Sequence, residues 1–324
     1  MPETSGSRVS RRPIPGSTLS ASSIAFALEP PRVAPPSADD RTVALLRRAR
    51  AHGVTTFDVA AGPSSRRAER LLSRAFPTDD PELFAILHRS VSDLANEGSG
   101  RAPPGGNGAL EGRLRESVAA SGERLRPLKV GLLQWEPDPT STPESDTAFQ
   151  VLENLRGAGA FSGWVQYVPR NDTPSPAGDA AAAGRPRLYS GALSPLETRL
   201  VLPLAGLATR GPTGFFARDP FGSGRLDGSR FARSFADRRP DVGPIRLREL
   251  RREFDPVLRL GFLTADRRRT LAQASLGFVL RFPWVCAAIV PLPPPERLEE
   301  MVGAERAPPI SDAEADQVLA LPNE

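Results

Sequence analysis

Cysteine is almost absent from this chain. Cys286 stands alone, so no intramolecular disulfide can form and a thiolate-based zinc site is not expected. Histidine is nearly as scarce. His52 and His88 are the only two, too few for a His-rich metal centre. Lys129 is the single lysine, and arginine supplies every other basic side chain. Tyr167 and Tyr189 are the only tyrosines. No run approaches the roughly 20 apolar residues that cross a bilayer, which excludes a membrane-spanning helix. No long block of one charge sign occurs either. The 42 basic and 38 acidic residues leave a net charge of +4, and the arginines are dispersed through predicted helices, so no nucleic-acid partner is expected. What is present is the material of a globular protein: 324 residues, 39% hydrophobic and 25% charged. Ser10, Arg11 and Arg12 resemble a twin-arginine export signal only faintly, because many serines interrupt Gly16 to Leu28, and an entry strand or hairpin is the expected reading. The absence of disulfides, export signal and membrane segment leads us to expect a cytoplasmic protein.

The composition of residues 1–16, rich in Ser, Arg and Pro, predicts a flexible N-terminal segment. Beyond it the chain repeats one unit: a short apolar run, a loop and an amphipathic helix. Predicted strands cover Ser23 to Leu28, Val54 to Val59, Leu83 to Leu87, Val130 to Trp135, Gly163 to Val168, Leu188 to Ser190, Gly214 to Ala217 and Val285 to Pro291. Predicted helices lie between them: Asp39 to His52, Ser64 to Phe76 with Ser64 as N-cap, Leu110 to Leu125, Thr147 to Ala158, Pro195 to Thr209, Leu247 to Leu260 and Arg267 to Arg281. Helical turns follow at Glu296 to Val302 and Asp312 to Leu319. Two segments, Asn96 to Asn107 and Pro169 to Pro186, read as loops. Eight such units predict an α/β protein with one domain over residues 17–324, a closed (β/α)8 TIM barrel. A doubly wound sheet would place a glycine-rich turn after the first strand, where Glu29, Pro30 and Pro31 stand instead.

Chemistry in such barrels sits at the C-terminal strand ends. Asp58, His88 and Glu136 end the second, third and fourth predicted strands. Tyr167 ends the fifth, and Arg218 and Asp219 follow the seventh. Two carboxylates and an imidazole could perform acid–base work or hold a divalent ion, and a solvated mouth with incidental charges is the alternative. His52, at a predicted helix C-terminus, is placed to offset the helix dipole.

Several segments resemble the aldo-keto reductase family. Gly53, Val54, Thr55, Phe57, Asp58 and Ala60 match its signature A-x-x-x-G-[IV]-[TN]-x-[FW]-D-[TS]-A. Leu132 to Trp135 is similar to its fourth strand, and Ala217 to Gly228 to its segment A-Y-S-P-L-x-x-G-x-L-x-G. Leu271 to Glu300 is similar to its closing helix, strand and helix. The matches run in order from about Pro13 to Leu321.

The resemblance implies NADPH-dependent carbonyl reduction by an Asp, Tyr, Lys and His tetrad. The aspartate is Asp58. The tyrosine position holds Pro63, the lysine position His88 (Arg89 if the register slips by one), and the histidine position Glu136. Three of the four roles are therefore changed, and proline has no proton to donate. The positions that hold NADP(H) in the family are Tyr167, Arg218, Ser223, Arg297 and Glu300. Arg218 replaces the aromatic that stacks on nicotinamide, whereas Gly222, Ser223 and Gly224 keep backbone amides suited to a pyrophosphate. The expectation is a pseudoenzyme that binds a small molecule or a protein partner. The alternatives are an oxidoreductase acting on a carbonyl substrate with Tyr167 or Glu136 as proton donor, and a metal or small-molecule site at Asp58, His88 and Glu136.

Overall fold

A computed structural model of the protein describes residues 8–30, 35–60, 65–90, 94, 107–136, 145–170, 172, 187–230 and 244–323. Pro63, Ser64 and most of the two predicted loops lie outside the described residues.

The chain opens with a hairpin, β1 (Arg11–Pro13) and β2 (Ser20–Ser22), paired antiparallel. Eight parallel strands then close into a barrel: β3 (Ile24–Leu28), β4 (Thr56–Val59), β5 (Phe84–Ser90), β6 (Lys129–Glu136), β7 (Gly163–Tyr167), β8 (Arg187–Ala192), β9 (Thr213–Arg218) and β10 (Val285–Pro291). They neighbour one another in chain order, and β10 pairs with β3 to shut the ring. Helices α1 (Pro36–Ala51), α2 (Ser65–Ala75), α3 (Asn107–Leu125), α4 (Ser145–Gly157), α5 (Val201–Ala208), α6 (Pro244–Arg259) and α7 (Leu271–Leu280) connect the strands. Two short helices, α8 (Leu298–Val302) and α9 (Asp312–Leu319), finish the chain.

Strand alternation divides the core in two. Phe57, Val59, Ala85, Leu87, Leu133, Trp135, Phe215 and Ala217 point outward and pack under the helices. Ala25, Phe84, Ile86, Leu132, Val165, Leu188, Phe216 and Ile289 point inward and fill the barrel. The same period carries the inward row upward to Asp58, His88, Gln134, Ser190 and Arg218 at the C-terminal strand ends.

The hairpin closes the opposite end. Ile14 is buried among the inner residues, and Arg12 donates to the carbonyls of Leu280 (2.6 Å) and Val285 (2.9 Å). Part of the segment expected to be flexible, Arg11–Pro13, is thus a strand, because it finds a sheet partner and open carbonyls. Gly214 makes room for the plug, since a Cβ there would lie 2.9 Å from Pro15 and 2.8 Å from Cys286 Sγ.

Two helices start later than the apolar pattern suggests. Leu271 opens α7 because Thr270 and Gln273 form a capping box, and Arg267 before it adopts φ +55°. Val201 opens α5 because Ser194 and Glu197 first pair with each other in a bridge. His52 is the C-cap of α1, and its ring nitrogen lies 2.8 Å from Glu299.

Candidate functional site

Five inward side chains meet at the barrel mouth. Asp58, on β4, has only 1% of its side chain exposed. From β9, across the barrel, Arg218 reaches it with Nη2 at 2.6 Å from Oδ1 and Nη1 at 3.3 Å from Oδ2. His88, on β5, places Nε2 2.6 Å from the same Oδ1. Gln134 ties the cluster to β6. Its Oε1 accepts from Arg218 Nε (2.9 Å) and from Ser190 Oγ (2.6 Å), the latter on β8.

Two of these contacts favour one imidazole tautomer. Two donors fix the Gln134 oxygen, so its amide nitrogen faces His88 Nδ1 at 3.4 Å. Nδ1 is therefore the acceptor, and Nε2 carries the proton toward Asp58. Arg218 Nη2 converges on the same oxygen, 2.5 Å from Nε2.

The charges follow from this packing. Burial pushes the Asp58 carboxyl up, but Arg218 and His88 outweigh it and hold it at about 2. Burial and the adjacent Arg218 cation push the His88 pKa down, more than Asp58 raises it. At neutral pH the mouth thus holds one carboxylate, one guanidinium and a neutral imidazole.

Other expected site residues lie outside this bonded cluster, although the Glu136 charge is near enough to act on His88. Glu136 ends β6 and is exposed, and Tyr167 ends β7 half-buried. Arg89 points away from the mouth, donating to Ser117 (2.7 Å) and Ser121 (2.6 Å) on α3 and to the His88 carbonyl (2.6 Å). His88 therefore faces the mouth. Among the described residues, no group of three His, Cys, Asp or Glu side chains is placed to hold a metal ion. Within the Asp58–His88 pair, the Arg218 guanidinium already sits where a cation would be drawn. Gln134 and Ser190 escaped the sequence reading. The signal was a polar residue at an inward position of each strand.

Beside the mouth runs a cleft of about 1080 Å³, between the loop that follows β9 and the segment from Val290 to Met301. Ser223, Arg297 and the loop glycines line or border it. The Arg297 side chain, a donor that an NADP(H) phosphate could use, is engaged within the protein. Arg297 donates to the Asp227 carbonyl (2.7 Å) and to Glu300 Oε2 (3.0 Å). Glu300 also accepts from Thr270 Oγ1 (2.6 Å). The residues present do not fit a phosphate-bearing cofactor in this arrangement.

No protein-family model matches the chain, and no curated protein does. Solved structures do match over nearly the whole length. An apo aldo-keto reductase, AKR11C1 from Bacillus halodurans, is 15% identical, with 96% of this chain and 95% of that chain covered and a TM-score of 0.66. Its holo form is 17% identical, with 96% of each chain covered and a TM-score of 0.66. A thermostable aldo-keto reductase, Tm1743, in complex with the inhibitor epalrestat, is 16% identical, with 95% and 98% covered and a TM-score of 0.68. This chain therefore folds as the (β/α)8 barrel of the aldo-keto reductases.

Proposed function

We propose that this chain is a divergent relative of the aldo-keto reductases that binds a small molecule at the barrel mouth and does not reduce carbonyls. The observation that carries this reading is the bonded array of Asp58, His88 and Arg218. Carbonyl reduction needs a proton donor facing the substrate oxygen. None of the three supplies one near neutral pH. Asp58 is held as an anion, Arg218 does not release its proton, and His88 directs its only ring proton at Asp58. At the tyrosine position of the family pattern stands Pro63, which has no acidic proton.

The fold is kept while the chemistry is not, which suits a binding scaffold. Arg218 remains 18% exposed, and that edge offers N–H donors to a small ligand with an acceptor oxygen. The test is NADPH oxidation by the purified protein with a broad panel of aldehydes and ketones. The expected outcome is no turnover above the protein-free rate. Reduction that is lost in Tyr167→Phe or Glu136→Gln would replace this reading with that of a rearranged oxidoreductase.

A further inference from the structure

The loop leaving β9 is wound tightly, with φ of +49° at Asp219, +56° at Gly222, +59° at Ser223 and +82° at Gly224. Consecutive amides in such a turn form a concavity that favours an anion. Here the anion is already supplied. Asp219 Oδ1 accepts from the Ser223 amide at 2.5 Å, and Oδ2 lies 3.2 Å from Ser223 Oγ. Arg170 then donates to Asp219 Oδ2 at 2.5 Å, completing a cation–carboxylate–amide arrangement. The neighbouring amides are also engaged: Gly222 donates to the Asp219 carbonyl, Arg225 to Gly222 and Leu226 to Phe221.

The rest of the cleft repeats the pattern. Arg297 is bonded to Asp227 and Glu300, and Arg230 donates to Glu253 at 2.5 Å. Each of these cations faces a carboxylate of the same chain. An incoming phosphate would have to displace one and meet its repulsion.

We propose that Asp219 is a built-in anion that fills the amide concavity of its own loop, so that the cleft rejects phosphate-bearing dinucleotides until this carboxylate is removed. Asp219→Gly is the direct variant, because glycine adopts φ +49° freely and the substitution frees the Ser223 amide and leaves Arg170 with the more distant Glu197 carboxylate, 3.7 Å away. Asp219→Asn keeps an acceptor for the Ser223 amide while dropping the charge, which guards against a misfolded glycine variant.

Titration calorimetry with NADP⁺ reads the result. The wild type is expected to show no saturable binding at millimolar cofactor. Asp219→Gly is expected to bind at least about tenfold more tightly, as freed charge-assisted donors allow, with affinity that falls as salt is added. Asp219→Asn is expected to shift in the same direction. Micromolar binding by the wild type overturns the inference, as does the absence of any gain in whichever variants melt cooperatively. Wild-type binding without turnover would overturn this inference alone. Turnover would overturn the proposed function as well.

Discussion

Arg218 Nη2 and Asp58 Oδ1 lie 2.6 Å apart across the top of the barrel, joined from strands 160 residues apart in the chain. The carboxylate is almost wholly buried, and the guanidinium is its charge partner. Replacing Arg218 by Met leaves that carboxylate without a counter-charge. The expected loss is roughly 3–5 kcal/mol of unfolding free energy, measured by urea denaturation at neutral pH. Adding Asp58→Asn should recover most of it, and strict additivity of the two substitutions would contradict the pairing.

Acid should weaken the fold in two stages. The folded-state pKa of His88 lies below its ordinary 6.5, so the unfolded chain takes up the proton first, and stability is lost as pH falls below that value. Asp58 titrates at about 2 in the fold against 3.8 ordinarily. Its contribution, on the order of 2 kcal/mol, is complete above the higher value and disappears as pH falls through the lower. Thermal melting between neutral pH and pH 2 should show a continuous decline. His88→Gln should flatten the upper stage and also shrink the lower one, because His88 helps to hold the Asp58 carboxyl down.

Ile14 plugs the bottom of the barrel with 1% of its surface exposed. Truncation to alanine should cost about 2–4 kcal/mol in chemical denaturation, because the rigid strands around it cannot collapse into the space. A loss under about 0.5 kcal/mol would mean that the hairpin contributes little to closure.

Cys286 is buried, and burial raises its thiol to about 12. Native protein at mildly alkaline pH should resist iodoacetamide, with one equivalent incorporated only after denaturation. Rapid labelling of the native protein would show that the lower barrel opens.

The barrel was legible in the chain because both of its periods are written there. Inward residues such as Phe84, Ile86 and His88 alternate with outward Ala85, Leu87 and Arg89. That alternation placed Asp58, His88 and Arg218 at strand ends. It could not show that they touch. Arg218 reads as a lone cation replacing an aromatic until β9 and β4 are seen to face each other across the ring. Gln134 and Ser190 were hidden for another reason. Uncharged amides and hydroxyls in an apolar strand carry no mark until a hydrogen-bond network singles them out. Likewise, Gly222 and Gly224 suggested an open anion site, but Asp219 folds back on its own loop in a way that depends on φ rather than on composition.

The ring closes where β10 pairs with β3, joining Ala288 to Ile24 and Val290 to Phe26. Strands β4 to β9 lie between Ile24 and Ala288 in the chain, so the last seam cannot form on the ribosome until β10 has been synthesised. Until then β3 offers one bare strand edge, and the inner apolar row remains open to chaperones or to another nascent copy. Translation speed and chaperone supply should therefore limit the yield of this protein in a heterologous host more than its final stability does.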